Sequence, residues 1–280
     1  MTAGEALRDA AARIDRRDAE YLLATLLGVG RAALIAHDER ILPDALAQRF
    51  AKQVAARARG RPVAQLTGLR EFYGRSFLVD EHVLIPRPET EILVEQALAR
   101  CSGQNPLERR ADKRMLDLGT GSGAIAVTLA LETRPPAVVT AVDRSTAALA
   151  VARHNADTLG ARIHLLESDW YGALAGETFD VIVANPPYVA RDDPHLQQGD
   201  LRFEPRAALT DDSADGMGAI RTILAGATAH LVRGGWILIE HGYDQAASCR
   251  DAMQRAGLCF VESVADLAGI PRVAVGRRQD

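Results

Sequence analysis

The chain has 280 residues, 48% hydrophobic and 25% charged, an ordinary composition for a globular protein that excludes disorder and fibrous repeats. Net charge is −4, mildly basic over residues 1–80 and mildly acidic beyond, so the concentrated basic face of a non-specific nucleic-acid binder is not evident. There is no apolar run of membrane-span length, the first residues are charged where an export signal needs an apolar core, and Cys101, Cys249 and Cys259 form no C-x-x-C pair, so a cytoplasmic protein is expected.

Residues 3–60 read as about four short helices, with apolar residues recurring at Ala6, Ala10 and Ile14, then at Tyr21, Leu22 and Leu26. Gly28-Val29-Gly30 and Pro43 punctuate them. Arg49, Lys52, Arg57, Arg59 and Arg61 lie in a stretch without acids, which fits a solvated helix face or an edge that meets an acidic or RNA-associated partner. The expected organisation is a helical domain over residues 1–67, a hairpin-like linker over 68–88 (GLREFYGRSFLVDEHVLIPRP), and a larger domain over 89–280.

From Arg114 onward, short β-rich runs (RMLDLG, AVVTAVD, RIHLLESD, FDVIVAN, GGWILIE) alternate with helical stretches, the pattern of an α/β fold with a mainly parallel sheet. The last runs, LCFVESV and RVAVGR, are separated only by a short turn, too little for a crossover helix. They are expected to form an antiparallel pair at the sheet end.

Four strand ends carry the candidate chemistry. Gly119, Thr120, Gly121, Ser122 and Gly123 follow the first strand and precede a helix, where glycines admit a ligand close to the backbone and the helix start offers free N–H groups. Asp143 ends the second strand, placed to accept the hydroxyls of a ribose. Ser168-Asp169-Trp170 ends the third; Trp170 suits covering an adenine ring and also fits a plain core role. Glycine loop and acid together also satisfy a dinucleotide fingerprint, so an NAD(P)-dependent oxidoreductase stays open at this point, although no catalytic Tyr/Lys or His constellation accompanies it.

The fourth strand ends in Asn185-Pro186-Pro187-Tyr188. Two prolines must stop a buried parallel strand and leave its last carbonyls without ladder partners. A planar NH2 group has two donors to satisfy, and the Asn185 side-chain oxygen with a nearby backbone carbonyl, that of Pro186, supplies two acceptors. Tyr188 can lie flat beside such a group. Methyl transfer from S-adenosylmethionine to a planar nitrogen fits this arrangement, because alignment rather than a general base or a metal lowers the barrier.

Taken together, REFYGRSFLV, VLIPRPETEILVEQAL, LDLGTGSGAIA, VTAVDRS, NPPYV, RFEPRAAL, IEHGYDQ and DLAGIPRV resemble the HemK/PrmC-type release-factor glutamine methyltransferases, from about residue 60 to the C-terminus. The resemblance implies a Rossmann-like S-adenosylmethionine-dependent methyltransferase sheet with a small N-terminal helical domain. It implies that Gly119 to Gly123, Asp143, Trp170 and Asn185 meet the cofactor, and that Asn185, Pro186, Pro187 and Tyr188 meet the glutamine of the Gly-Gly-Gln motif in peptide chain release factors. Catalytic roles then fall to Asn185, Pro186 and Tyr188. The helical domain, with the basic stretch as a candidate contact, is expected to help grip the release factor.

A DNA adenine N6-methyltransferase shares NPPY but is opposed by the acidic balance. A silent binding module is opposed by the intact site set. Direct nucleic-acid, membrane and metal binding are not expected, and a monomer is. Two stretches keep open roles: Pro86-Arg87-Pro88-Glu89-Thr90 either starts a helix or borders the cofactor pocket, and Phe203-Glu204-Pro205-Arg206 falls in the long loop after NPPY, where loops shape a substrate mouth. His241 reads as a polar strand-end residue.

Overall fold

The computed structural model describes residues 1–102 and 113–279, and its contacts gather into two units. The first unit holds Met1–Leu69 together with the later segment Gln198–Phe203; the second holds the other described residues.

Five helices build the first unit: α1 (Ala3–Ala11), α2 (Arg16–Leu27), α3 (Arg31–Ala36), α4 (Asp44–Ala58) and α5 (Val63–Thr67). Local chemistry sets their ends. The Thr2 hydroxyl accepts from the Glu5 amide at 3.2 Å while the Glu5 carboxylate accepts from the Thr2 amide at 2.7 Å, a reciprocal cap for α1. The helices turn Ala6, Ala10, Leu22, Leu23, Phe50 and Val54 into one small core. The segment Gln198–Phe203 is held by polar contacts: the Arg57 guanidinium donates to Asp200 at 2.9 Å, Gln65 to the Phe203 carbonyl at 2.9 Å, and Arg202 to the Arg59 carbonyl. Arg57 also pairs with Asp18 at 2.7 Å, so this member of the basic stretch is engaged within the unit.

The second unit begins at Arg70, inside a two-stranded hairpin of β1 (Leu69–Phe72) and β2 (Arg75–Leu78), whose Phe72 and Phe77 rings meet edge to face at 6.0 Å. After α6 (Thr90–Ser102) come β3 (Arg114–Leu118), α7 (Ala124–Glu132), β4 (Val138–Asp143), α8 (Thr146–Leu159), β5 (Ile163–Glu167) and β6 (Phe179–Ala184). Then follow α9 (Arg206–Leu209), α10 (Gly218–His230), β7 (Leu231–Glu240), α11 (Ala246–Arg255), β8 (Leu258–Ala265) and β9 (Pro271–Arg278). The seven-stranded sheet has the order β5-β4-β3-β6-β7-β9-β8. Its first five strands run parallel, and β9 inserts antiparallel between β7 and β8, giving the expected antiparallel end.

The central strands read as unbroken apolar runs because both sheet faces are covered. Met115, Val139, Val181 and Leu238 join the core that includes α6 and α7, whereas Leu116, Leu118, Ile182 and Ile239 join the one that includes α10 and α11. Among the described residues no helix is long and apolar enough to cross a membrane.

Ile182 is fully buried on the central strand β6, beside β3 and β7. Ile182→Ala is therefore expected to cost about 2–5 kcal/mol of stability in denaturant unfolding; a cost below about 1 kcal/mol would contradict this packing.

Candidate active site

Sheet order decides where the site lies. The chain runs outward from β3 through β4 to β5, then returns to place β6 on the other side of β3, so the loops leaving β3 and β6 diverge at their carboxyl ends. A cavity of about 810 Å³ opens there, toward the upper end of the usual range for ligand sites. Its wall includes Gly119, Thr120, Gly121, Ser122, Asp143, Trp170, Asn185 and Pro187. Gly123, Pro186 and Tyr188 are not among the lining residues.

The glycine loop is held from beneath. Gly119 adopts φ +75°, a left-handed conformation that favours glycine; a Cβ built on it would stand in ordinary contact with the Trp170 ring at 3.5 Å, so the indole packs directly over the loop. Gly123 caps α7 with φ +80°, where a Cβ would stand 3.0 Å from that of Ala152; its role is helix packing rather than cavity wall. One Asp143 oxygen accepts from the Gly121 amide and the other from Ser145, each at 2.9 Å. Below the loop, Asp117 is fully buried and accepts from the Thr120 hydroxyl at 2.7 Å. Burial pushes its carboxyl up to about 7, against the Thr120 hydroxyl and the Ala126 amide, which favour the charged form.

These features fit an adenosine-bearing sulfonium donor. Asp143 keeps acceptor capacity beyond its two backbone bonds, Trp170 offers a ring face at the wall, and Asp143 and Asp169 give the cavity negative charge.

At the end of β6, the Asn185 Nδ2 donates to the Thr90 hydroxyl at 3.1 Å, while its Oδ1 is buried with no hydrogen-bond partner. Pro186 is buried, and no hydrogen bond reaches its carbonyl among the described residues. Tyr188 packs behind this wall, and its hydroxyl donates to Glu240 Oε1 at 3.2 Å. Burial, reinforced by Glu240, pushes that phenol well above its ordinary value. The exit of the motif is pinned by Gln245, whose amide donates to the Tyr188 and Asp215 carbonyls at 3.0 Å each.

Both stretches with open roles reach the cavity. Pro86 and Thr90 line it from one loop, Pro205 and Arg206 from another. Glu204 joins them: it accepts from the Ile85 amide at 2.9 Å and from the Arg87 guanidinium at 2.5 Å, with its side chain fully buried. His241 is fully buried just after β7 with Nε2 unpartnered, and burial pulls its ring below the ordinary histidine value.

Two supporting residues, Asn155 and Glu240, carry no role in the sequence reading, and for Glu204, read as part of the loop after NPPY, the burial and the pairing with Arg87 are new. Asn155 of α8 donates to the Ser122 carbonyl at 2.8 Å and clamps both backbone groups of Leu78, tying hairpin to glycine loop. Its signal was positional, because Ala148, Val151, Ala152 and Asn155 share one buried helix face. Glu240 ends an apolar strand as Asp143 does, which is the pattern that singled out Asp143. Glu204 carried no comparable mark, since its partner is Arg87, 117 positions away.

The family model described as Methyltransferase small domain matches residues 103–200, and the one described as PrmC N-terminal domain matches residues 2–68. The release factor glutamine methyltransferase of Burkholderia pseudomallei is 53% identical, covering 99% of this chain and 96% of its own length. That of Bordetella pertussis is 51% identical over 94% of this chain and 95% of its own. A methyltransferase structure from Pyrococcus furiosus superposes with a TM-score of 0.56 at 16% identity, covering 82% of this chain and all of that one; at that identity the likeness is one of fold.

Two substitutions test the geometry. Asp143→Ala frees the Gly121 and Ser145 amides, so the affinity for S-adenosylmethionine in calorimetry should fall by about 10–100-fold, roughly 1.4–2.8 kcal/mol. Arg87→Ala leaves the buried Glu204 carboxylate without its cation and should destabilise the protein by about 3–5 kcal/mol while weakening donor binding; unchanged stability and affinity would show that the clamp is idle.

Proposed function

This chain belongs to the release factor glutamine methyltransferase family, and from that premise we propose that Asn185 receives the side-chain amide of the glutamine in the Gly-Gly-Gln motif of peptide chain release factors and presents its nitrogen for methylation. The protein is an S-adenosylmethionine-dependent methyltransferase. The observation that carries the proposal is the Asn185 Oδ1, a buried acceptor without a partner, on a residue of the cavity wall. An unpaired buried carbonyl costs about 1–3 kcal/mol, a cost that an incoming N–H removes.

When bound, S-adenosylmethionine supplies an electrophilic methyl group on a sulfonium. We assign the holding of that donor to Gly119, Thr120, Gly121, Ser122, Asp143 and Trp170 at the wall, with Gly123 behind them as the helix cap. A carboxamide nitrogen is neutral and shares its lone pair with the carbonyl, so the protein's task is alignment and charge stabilisation. Asn185 Oδ1 accepts one amide N–H, and on this reading the Pro186 carbonyl, free of other hydrogen bonds, accepts the second. Both bonds strengthen as the nitrogen becomes cationic, then weaken once a proton has left to water. Pro187 borders the amide, and Tyr188 supports it from behind through Glu240.

Cys101, Cys249 and Cys259 are all unpaired, which suits a reducing cytoplasm. We assign to the helical unit a share in gripping the protein substrate. Arg49 and Lys52 are exposed on α4 and available for this, whereas Arg57 is held by Asp18 and Asp200.

Labelled methyl should pass to a release factor and be lost when its Gly-Gly-Gln glutamine is replaced; label that survives the replacement, or methyladenine in treated DNA, would overturn the proposal. Asn185→Ala should lower kcat by about 10²–10³-fold, as expected for a group that acts in the transition state, with donor affinity within about threefold of wild type. Equal losses in both would show that Asn185 serves the donor instead.

A further inference from the structure

The stretch IEHGYDQ, residues 239–245, carries part of the family resemblance, yet none of its residues is among those lining the cavity. Its last residue reaches the site through other groups. Gln245 stands immediately before α11 and is 9% exposed. Its Oε1 accepts from the Gly242 amide at 2.8 Å, and its Nε2 donates to the Tyr188 carbonyl and to the Asp215 carbonyl, each at 3.0 Å. The side chain fits only this way round. A flipped amide would set its oxygen against two carbonyl oxygens and its NH2 against an N–H. One buried side chain thus ties the turn after β7, the exit of NPPY and the loop between α9 and α10.

The backbone around it is shaped for the same approach. Gly216 has φ +66°, and a Cβ there would stand 2.1 Å from the Tyr188 carbonyl oxygen and 2.9 Å from Gln245 Nε2. The loop can pass against the motif exit only because position 216 is bare. Two backbone bonds continue the seam: the Val189 amide donates to the Leu209 carbonyl and the Arg191 amide to the Ser213 carbonyl, each at 2.9 Å. The same loop gives the cavity wall Thr210, Asp211, Asp212 and Ser213, while the motif gives it Asn185 and Pro187.

We propose that Gln245 is a positioning residue for the methyl acceptor: by holding two carbonyls on one amide it fixes the NPPY exit against the 210–213 wall, and so fixes where the substrate amide is aligned. The inference rests on the reading above that NPPY receives a carboxamide. Proline stiffness carries the effect from Tyr188 to Asn185. Both residues between them have φ locked, so a shift of the Tyr188 carbonyl is passed on to Asn185 rather than absorbed. Alignment tolerates little of this, since a misplacement of about 1 Å can cost on the order of 10²-fold in rate. The donor should be spared, because all three Gln245 side-chain bonds go to backbone outside the glycine loop, Asp143 and Trp170.

Three variants test this. Gln245→Glu keeps the shape and the bond from Gly242 but gives up both donations; Gln245→Met keeps the bulk and gives up all three bonds; Gly216→Ala leaves Gln245 intact and pushes on the Tyr188 carbonyl. Release-factor methylation is measured with each, and rates are referred to the sites that bind S-adenosylmethionine in calorimetry, so that a partly folded sample is corrected. In all three, kcat should fall by at least about tenfold, acceptor KM should rise by less than kcat falls, and donor affinity should stay within about threefold of wild type. A smaller fall in kcat, a loss carried mainly by KM, or a larger loss of donor affinity would overturn the inference. So would Gln245 variants without any donor-binding sites, which would make the side chain a requirement of the fold. A wild type that passes no methyl to the release-factor glutamine would instead defeat the functional reading, a separate result.

Discussion

Two adjacent parallel strands that end side by side impose the constraint on which the site depends. Where β3 and β6 stop, their chains must leave in different directions, and the backbone there loses its ladder partners inside a layer covered on both faces. Polar groups in such a place have to be satisfied by side chains or by a ligand. The β3 side is satisfied largely from within, through Asp143 beneath Gly121 and Asp117 beneath Thr120. Each side keeps one buried oxygen without a hydrogen-bond partner, Asp117 Oδ1 at the β3 end and Asn185 Oδ1 at the β6 end, and of these two residues only Asn185 belongs to the cavity wall.

Burial of acids is the recurring means of holding this arrangement. Asp117, Glu204 and Glu240 all lie out of solvent around the cavity, each differently compensated. Glu204 has a guanidinium and an amide; Asp117 has a hydroxyl and the start of a helix; Glu240 has the Tyr188 hydroxyl. A carboxylate without a cation in a dry environment rises in pKa, and Asp117 and Glu240 are the two displaced to about 7. These side chains restrict how loops can sit, which a packed apolar wall would do less directionally.

The sheet was legible in the sequence because its central strands had to be apolar on both faces, as in FDVIVAN, and because the turn between LCFVESV and RVAVGR was too short for a helix. Strand ends were legible for the same reason, since Asp143 and Asn185 interrupt apolar runs. Long-range pairing was not. Nothing local marks Glu204 as buried, and nothing in the loop composition announces that Gln198–Phe203 joins the helical unit through Asp200 and the Phe203 carbonyl. Tyr188 was read as a planar neighbour of the substrate, yet a buried phenol needs a hydrogen-bond partner, and the structure supplies Glu240. Pro186, whose carbonyl is read as the second acceptor for the amide, is buried and is not among the residues that line the cavity.

The account stands on the Asn185 oxygen as the receptor of the acceptor amide. Its most direct test is a crystal structure with S-adenosylhomocysteine and a peptide carrying Gly-Gly-Gln. The account predicts the glutamine amide nitrogen at about 2.7–3.2 Å from Asn185 Oδ1, within the cavity. A glutamine side chain bound elsewhere, with Oδ1 met by water or by peptide backbone, would contradict it.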